Sequence, residues 1–398
     1  MIEINYDPKK GLWAEKEDAD RLRNNSFGEQ VSDKLWLNPE EALYIIDLMN
    51  GKIKHGKAVM GFGDIVIAYA SKDTRLMIKY NAYRDWRDRG LIVKRVDEYT
   101  KGGSSRESHV KKYPENVMKI RKSAAKIIWD SESAMGVFDD KAGIELYKDW
   151  WLGQIGVYKQ ERGSILKLNF FEVMLLSKRF GFKVVDAKTG KATTSGKIMD
   201  EISKRREFAK AMYQAYEDWR LRGYIVKTGF KFGTHFRIYF PDASPLRETG
   251  DGKWVHSKHV LHIFPKEEKL LVSEWARAVR VAHGVKKTFI LGVPKITKKD
   301  FMDYPADFAA YRRKKRGKDW IREAPPKDRP RYLLAAMSEE EHIGGVELAS
   351  LLAKSAVMGM NLILSITDRE TAITYYALNK IRLRDSEYDY YEIEWLKP

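Results

Sequence analysis

Apolar and polar residues alternate between residues 234 and 240, where His235, Arg237 and Tyr239 share one face. This period of two predicts a strand with one buried face. Further along, apolar residues recur at i, i+3, i+4 and i+7, which predicts a helix with one buried stripe: Trp275, Ala278, Val279 and Ala282. We expect Ser273 to cap this helix. Gly284 follows the stripe and is expected to end it.

Apolar runs at 259–264 and 288–293 predict strands on either side of this helix. The whole pattern then recurs, because residues 260–295 match residues 333–368 at a constant offset of 73. Three polar residues of the first copy are replaced in the second, namely His256 by Arg329, Arg280 by Ala353 and Lys287 by Met360. The second copy keeps the apolar frame and loses these groups. We therefore interpret the first copy as a working site and the second as a structural duplicate.

A second repeat lies upstream. Residues 35–43 match 166–174 at an offset of 131, and residues 83–94 match 216–227 at an offset of 133. In the first copy Asn38, followed by proline, is predicted to cap a helix. Repetition on this scale sets the architecture, which we predict as an α/β (mixed α+β) fold of small modules in the order N, N, C, C.

Four modules are predicted: a degenerate N-terminal module, a second N-terminal module, a catalytic C-terminal module and a degenerate C-terminal module, at 1–130, 131–226, 227–315 and 316–398. They would form three units: a lone N module, an N–C pair and a lone C module. The composition of the connections predicts a loop at 100–108, a basic helix at 114–130 and a proline-rich basic linker at 312–331. The last segment could equally contact RNA.

Charge indicates the partner. The 398 residues include 73 basic and 56 acidic side chains, a formal charge of +17, together with 21 tyrosines and 11 tryptophans. Lysine and arginine displace the counterions of phosphates, and bases stack on aromatic rings, so nucleic acid is the expected ligand. The alternative is the charged surface of a thermophile or acidophile. The chain has no cysteine and no apolar run of bilayer-spanning length, so we expect a cytoplasmic protein that is not bound to membrane.

Five of the eight histidines lie between residues 235 and 283, which places the candidate site in the first C-terminal module. A metal site is disfavoured, because His259 and His262 are three apart on a strand and face opposite sides. No acidic cluster accompanies the basic residues, as a two-metal nuclease would require. We therefore expect no metal and no cofactor.

Cleavage of a phosphodiester without metal needs a base for the attacking hydroxyl, an acid for the leaving oxygen and a cation for the developing charge. Tyr239, His256 and Lys287 can supply these groups from neighbouring strands. The residues alone do not decide between this trio and another, made of His259, His283 and Lys286.

Four ordered segments resemble the archaeal tRNA-splicing endonuclease: Arg222-Gly-Tyr-Ile-Val-Lys-Thr-Gly-Phe-Lys-Phe-Gly, Phe236-Arg-Ile-Tyr, His256-Ser-Lys-His-Val-Leu and Val279-Arg-Val-Ala-His-Gly-Val-Lys-Lys. The resemblance is dense over 205–293, and the degenerate copies extend it to 35–95 and 333–378. The module order resembles the fused three-unit form, in which the chain pairs with itself as a homodimer.

The resemblance implies Tyr239 as general base, His256 as acid and Lys287 as the transition-state cation. Arg280 would hold a flipped base by cation–π stacking, with Arg312 or Arg313 as the second arginine. The implied substrate is precursor tRNA with bulge-helix-bulge splice sites, and the implied products are a 2′,3′-cyclic phosphate and a 5′-hydroxyl.

Further residues follow from the same resemblance. Asp368 and Glu370, in a turn between two strands, are candidates for the dimer interface. Lys159 and Arg162, in a segment longer than the usual connection, are candidate RNA contacts. Lys286 stands where the family usually has arginine. Two other functions remain open on the residues alone: a non-catalytic RNA-binding scaffold and a metal-dependent DNA nuclease.

Overall fold

The structure is a computed structural model that describes residues 1–99, 110–156, 163–245, 255–266, 268–383 and 385–398. Helices and strands are mixed throughout, so the predicted α/β class is confirmed. Within these ranges no helix is both long and apolar enough to cross a bilayer. The segment 100–108, predicted as a loop, falls outside the described residues.

The first N-terminal module packs helices on one sheet. Its elements are β1 Ile2–Asp7, β2 Gly11–Glu15, α1 Lys16–Asn24, β3 Glu29–Val31, β4 Lys34–Leu37, α2 Pro39–Leu48, β5 Gly51–His55, β6 Ala58–Met60, α3 Phe62–Ala70, α4 Leu76–Asp88 and β7 Val93–Arg95. The sheet runs β3-β4-β2-β1-β5-β6. Asn38 is the N-cap of α2 as predicted, with Pro39 first in the helix and the Glu41 carboxylate accepting the Asn38 N–H at 3.0 Å.

The second N-terminal module repeats this arrangement after a short strand, β8 Lys111–Lys112. Its elements are β9 Lys126–Asp130, β10 Met135–Phe138, α5 Ala142–Trp150, β11 Gln154–Ile155, β12 Leu166–Asn169, α6 Phe170–Phe180, β13 Lys183–Asp186, β14 Ala192–Thr193, α7 Ser195–Ser203 and α8 Ala209–Leu221. The sheet order, β11-β12-β10-β9-β13-β14, is that of the first module strand for strand.

Two predictions about this region are wrong. Residues 114–130 contain no helix: they are irregular up to residue 125 and then form β9. Ile127 and Trp129 are buried while their neighbours are not, which is the period of a strand. Because β9 pairs with β10 and β13, the second module begins before residue 126, not at the predicted boundary of 130.

The C-terminal modules share one large sheet. The catalytic copy contains β15 Ile225–Thr228, β16 Phe236–Tyr239, β17 His259–Ile263, β18 Lys269–Leu271, α9 Val272–Gly284 and β19 Thr288–Pro294. The degenerate copy contains β20 Phe308–Ala310, β21 Arg313–Arg316, β22 Asp319–Arg322, β23 Tyr332–Ser338, β24 His342–Gly344, α10 Gly345–Val357, β25 Asn361–Thr367, β26 Ile373–Arg382 and β27 Tyr388–Leu396. Short 3₁₀ turns lie at Val96–Tyr99 and Phe230–Phe232.

The predicted strands and helix of the catalytic copy are present, but the helix ends differ. Leu271 is the N-cap of α9, so Ser273 lies inside the helix, and Gly284 is its last residue. Residues 312–331 are not a plain linker, because β21 and β22 form a hairpin within them.

The two C-terminal copies are joined strand to strand. Across the described residues the sheet follows β15-β16-β17-β19-β27-β26-β25-β23-β20-β7, with β8 beside β26. At its centre β19 pairs antiparallel with β27, from Phe289 opposite Ile393 to Pro294 opposite Tyr388. Helices α9 and α10 pack on this sheet over one shared apolar core.

The first N-terminal module is not alone. Its last strand, β7, pairs with β20 of the degenerate copy, with Lys94 opposite Ala309, just as β15 pairs with β16. The first and last modules therefore form a second N–C pair within the chain, which corrects the predicted lone modules. Strand β20 pairs with β23, so the degenerate module begins before residue 308 and not at the predicted boundary of 316.

Each N–C junction contains a buried acid–base pair. Glu172 is 1% exposed. Its carboxylate accepts the N–H groups of Gly153 at 2.9 Å and Asn169 at 3.0 Å and lies 3.1 Å from Lys227 Nζ. In the other junction Glu41 and Lys94 are 3.9 Å apart, and Glu41 accepts the Gly28 N–H at 2.9 Å. Each pair links the start of an N-module helix to the strand that joins the N module to the large sheet, β15 in one junction and β7 in the other.

We predict that Glu172→Ala lowers the free energy of unfolding by about 3–5 kcal/mol, because it leaves a buried lysine and two buried N–H groups without a carboxylate. Urea unfolding followed by circular dichroism measures this. The matched control is Glu132→Ala, which removes an exposed carboxylate paired with Lys188 at 2.6 Å. Its effect is expected to be a small fraction of that loss, and equal losses would contradict the assignment.

Candidate active site

Three strand ends meet where the predicted trio lies. Tyr239 is the last residue of β16, one position beyond Ile238, which is opposite His259 at the start of β17. Lys287 immediately precedes β19, whose first residue, Thr288, is also opposite His259. Tyr239 and Lys287 therefore approach the same edge of the sheet from either side of β17, and His256 lies three residues before that strand.

Lys287 is held in place by the segment that follows the histidine. Its Nζ donates to the Ser257 backbone oxygen at 2.6 Å and to Ser257 Oγ at 2.8 Å. The chain reaches this position through a left-handed turn at Lys286, whose φ is +55°. The Lys287 N–H then closes the turn onto Ala282 O at 2.9 Å. The helix end thus fixes where the lysine enters the sheet.

The electrostatics around Lys287 are strongly cationic. Partial burial lowers the pKa of Lys287, and the neighbouring charges of Arg237 and Lys258 lower it further. Nζ also lies 5.3 Å from the centre of the Phe232 ring. Like charges held this close attract an anion, since an anion between them relieves their repulsion.

Tyr239 and His256 line one cavity of about 470 Å³ between the second N-terminal module and the catalytic copy. Tyr239 is 5% exposed, and its ring lies 5.0 Å from the ring of Trp151. His256 is exposed. Lys227 and Arg237 also line the cavity. One wall is therefore aromatic and one is cationic, as a phosphate joined to a base requires.

The alternative trio is not assembled. His259 is opposite Ile238, so it faces away from Tyr239, and it packs 5.3 Å from the Tyr113 ring. Burial lowers the pKa of His259 to about 4. Its predicted companions, His283 and Lys286, are exposed around the end of α9.

Two more of the clustered histidines belong to the core. The rings of His235 and His262 stack at 4.3 Å, and His235 Nδ1 accepts the Ile263 N–H at 3.0 Å. Burial lowers the pKa of His235 to about 4 and that of His262 well below its usual value. Among the described residues no three His, Cys, Asp or Glu side chains are grouped as metal ligands.

The predicted RNA-binding residues lie in separate places. Arg280 is exposed on α9, and its charge partly offsets the burial that raises the pKa of Tyr376 in β26. Arg312 contacts Glu323 at 3.7 Å, while Arg313 donates to Arg89 O at 2.6 Å beside the first N-terminal module. No described contact brings either of them to Arg280. Lys159 and Arg162 fall outside the described residues.

The predicted interface residues lie in the turn between β25 and β26. Asp368 Oδ1 accepts the N–H groups of Glu370 and Ala372, both at 2.9 Å, so this carboxylate shapes the turn itself. Glu370 is exposed.

Sequence reasoning missed Lys227, Glu172 and Trp151. Lys227 and Glu172 could have been found from the sequence, because the Glu–Lys pair recurs in both repeats at offsets of 131 and 133. Trp151 has no such signal: it reaches the cavity because the chain leaves α5 in a left-handed conformation, with φ of +43°.

Comparison with known proteins agrees with this geometry. The family profile described as tRNA intron endonuclease, catalytic C-terminal domain, matches residues 209–300. The tRNA-splicing endonuclease of Methanopyrus kandleri is 33% identical over 146 residues, which cover 36% of this chain and 75% of the relative.

A further relative, the tRNA-splicing endonuclease of Thermococcus gammatolerans, is 31% identical over 172 residues, 42% of this chain and 88% of the relative. The chain belongs to the tRNA-splicing endonuclease family. The Methanosarcina mazei tRNA-splicing endonuclease extends the match to 72% of this chain and 93% of the relative, at 22% identity. The predicted family is thereby confirmed, and as a member of it the chain is an endonuclease.

We predict that Ser257→Ala lowers the rate of RNA cleavage about 2- to 10-fold, the effect of losing one hydrogen bond of roughly 0.5–1.5 kcal/mol. Loss of Oγ destabilises the charged form of Lys287, so its pKa falls further and the alkaline limb of the pH–rate profile moves to lower pH. Ser273→Ala, in the same module, is the control. An unchanged alkaline limb would contradict the role given to Ser257.

Proposed function

We propose that this endonuclease excises introns from precursor tRNA by metal-independent cleavage at bulge-helix-bulge splice sites. The observation that carries the proposal is the meeting of Tyr239 and His256 on one cavity, with Lys287 bonded to the residue next to His256. A phenol, an imidazole and an ammonium are the three groups that the reaction needs.

In the proposed reaction Tyr239, in its phenolate form, accepts the proton of the 2′-hydroxyl that attacks the adjacent phosphorus and becomes the neutral phenol. The bond between that 2′-oxygen and phosphorus forms as the bond to the 5′-oxygen breaks, and His256 protonates the leaving 5′-oxygen. Lys287 stabilises the negative charge that accumulates on the phosphoryl oxygens. The products are a 2′,3′-cyclic phosphate and a 5′-hydroxyl, with no water consumed.

The position of each group suits its role. Tyr239 is buried beside Trp151, where water is largely excluded, whereas His256 is exposed and can exchange its proton with solvent after each turnover. Lys287 belongs to a cationic group with Arg237 and Lys258, so a phosphate enters a field already favourable to it.

A non-catalytic RNA-binding scaffold is the second candidate. The charge of +17 suits it equally well. It does not account for the retention of His256 and Lys287 in one copy and their replacement by Arg329 and Met360 at the same offset in the other. A scaffold would gain nothing from that asymmetry.

We predict that His256→Ala lowers the rate of precursor tRNA cleavage about 10²- to 10⁴-fold, the usual contribution of a general acid. RNA binding, measured by fluorescence anisotropy, should be retained. His342→Ala is the matched control, because His342 is an exposed histidine of the degenerate copy. If His256→Ala cuts at the normal rate, the scaffold is favoured.

The same assay also tests whether cleavage needs a metal and which ends it leaves on the fragments. Cleavage should persist in chelator, and end-group analysis should find a cyclic phosphate on the upstream fragment. A single 2′-deoxy nucleotide at the splice site should block cutting there, since it removes the nucleophile. Loss of activity in chelator would instead favour the metal-dependent nuclease.

We further propose that the active form is a homodimer, because an intron has two ends and two-fold symmetry supplies two equivalent sites. Asp368 and Glu370 would lie at the interface, and Arg280 would hold a base of the bulge. Asp368 already shapes its own turn, which leaves Glu370 as the cleaner probe of association.

We predict that Glu370→Arg weakens dimerisation, with a shift toward monomer in sedimentation equilibrium and a matching loss of cleavage at low protein concentration. Reversing one interfacial charge places like charges together, which commonly costs several kcal/mol. Asp33→Arg, in the exposed turn between β3 and β4, is the control. A dimer that survives Glu370→Arg unchanged would remove Glu370 from the interface.

A further inference from the structure

The hairpin β21–β22 occupies, in the degenerate copy, the place of the loop that carries His256 in the catalytic copy. Both segments connect equivalent strands, β16 to β17 in one copy and β20 to β23 in the other. The hairpin is a built element: Gly317, with φ of +64°, opens a two-residue turn between the paired Arg316 and Asp319.

The hairpin is strongly basic. Residues 312–323 include two acidic side chains and seven basic ones: Arg312, Arg313, Lys314, Lys315, Arg316, Lys318 and Arg322. Arg312 and Lys314 lie near Glu323, at 3.7 and 3.8 Å. Within the described part of the chain, Lys315, Arg316 and Lys318 have no carboxylate at ion-pair distance and are exposed. The tip therefore presents uncompensated positive charge.

An exposed tryptophan stands among these charges. Trp320 is 66% exposed and lies directly opposite Lys315 in the hairpin, so the two side chains share a face. Arg313 and Arg322 share that face through their own pairing. An exposed ring beside cations offers a stacking surface to a nucleobase and positive charge to its phosphate.

The ring also borders a groove. Trp320, Arg312, Arg313, Tyr332 and Lys397 line a cavity of about 430 Å³ beside the end of the chain. This is within the range of roughly 300–1,000 Å³ that small-ligand sites occupy. Two arginine side chains of the hairpin bond to the first N-terminal module: Arg313 donates to Arg89 O at 2.6 Å and Arg322 to Gly90 O at 3.4 Å. The face that carries Trp320 is thus held against the first N-terminal module through Arg313 and Arg322, while the Trp320 ring itself stays 66% exposed beside the groove.

We propose that the hairpin 312–323 is an RNA-docking site, in which an unpaired base stacks on Trp320 and Lys315, Arg316 and Lys318 bind the flanking phosphates. It lies seven strands from β16, roughly 34 Å at ~4.8 Å per strand. The site therefore holds a part of the RNA remote from the cut bond. The identification of the bound RNA as tRNA rests on the proposed function. The binding itself is inferred from the hairpin alone.

The test uses intron-free tRNA, which cannot be cleaved, so that binding is measured apart from catalysis. By fluorescence anisotropy, Trp320→Ala in the full-length protein should bind this tRNA roughly 5- to 150-fold more weakly, the effect of losing one stacked base. Trp320→Phe should retain most of the affinity. An unchanged thermal midpoint shows that the loss is not one of folding, as the exposure of Trp320 leads us to expect.

The charges are tested by salt dependence. The double variant Lys315→Ala/Lys318→Ala should reduce the slope of log K against log salt by about 2, close to one for each phosphate that is no longer neutralised by a lysine. The control Lys9→Ala/Lys10→Ala removes two exposed lysines from the turn between β1 and β2 and should leave the slope as in the unaltered protein.

Three results would overturn the proposal. One is normal tRNA binding by Trp320→Ala, and another is an equal loss of slope in the control. The third is a change of the association state, rather than of RNA binding, in the hairpin variants, which would assign the surface to a second copy of the chain. Failure of the proposed function is separate: the unaltered protein would then bind tRNA through the hairpin but leave precursor tRNA uncut.

Discussion

The antiparallel pairing of β19 with β27 is the constraint on which the rest of the structure depends. The catalytic copy has no hairpin of its own after β19, so that strand would be an open sheet edge, and open edges pair with other chains. Strand β27 covers it over six residue pairs. The approach is close at Gly292, where a Cβ would lie 2.8 Å from Ile263 Cδ1 and 3.2 Å from Tyr390 Cε1. A Cβ at this position would displace the end of the Ile263 side chain and crowd the Tyr390 ring across the join.

This pairing explains why the degenerate copy is kept. Its equivalents of His256 and Lys287 are replaced, yet its last hairpin completes the sheet of the catalytic copy, and its helix α10 shares a core with α9. Helix α9 in turn ends in the left-handed turn at Lys286 that sets Lys287 at the sheet edge. The structural copy thus fixes the position of Lys287 through one sheet and one core. The Glu–Lys pairs at the two N–C junctions are retained in both copies because both junctions need them, whereas catalysis needs only one site.

The sequence predicted what local pattern can encode. The alternation of polar and apolar residues predicted β16, and the apolar helical stripe predicted α9. Asn38 with Pro39 predicted the start of α2. The segment before the second module was misread, because its lysines and arginines favour a helix by composition, while the burial of Ile127 and Trp129 is decided by a sheet formed with residues far along the chain. The pairing of β7 with β20 joins residues more than 200 positions apart, and no local signal marks it.

Part of the site was predictable for the same reason. His256 and Lys287 stand in distinctive short segments, but Trp151 enters the cavity only through a turn. Histidine density pointed to the right module, although His235, His259 and His262 proved to be buried in the sheet, where burial lowers their pKa and keeps them neutral. Clustering of a residue type locates a region, and the strand register then decides which members reach the cavity.

The cations that the strands place around Lys287 make phosphate binding and the protonation of Lys287 interdependent. Lys287 shares its surroundings with Arg237 and Lys258, and their charges, added to partial burial, lower its pKa in the free protein. A bound phosphate would offset these positive charges, so it would raise the pKa of Lys287 and stabilise the ammonium that the proposed reaction requires. By linkage, the charged lysine must favour phosphate binding to the same extent. In the proposed reaction, a cation cluster whose members repel one another when it is empty therefore couples phosphate binding to protonation of Lys287.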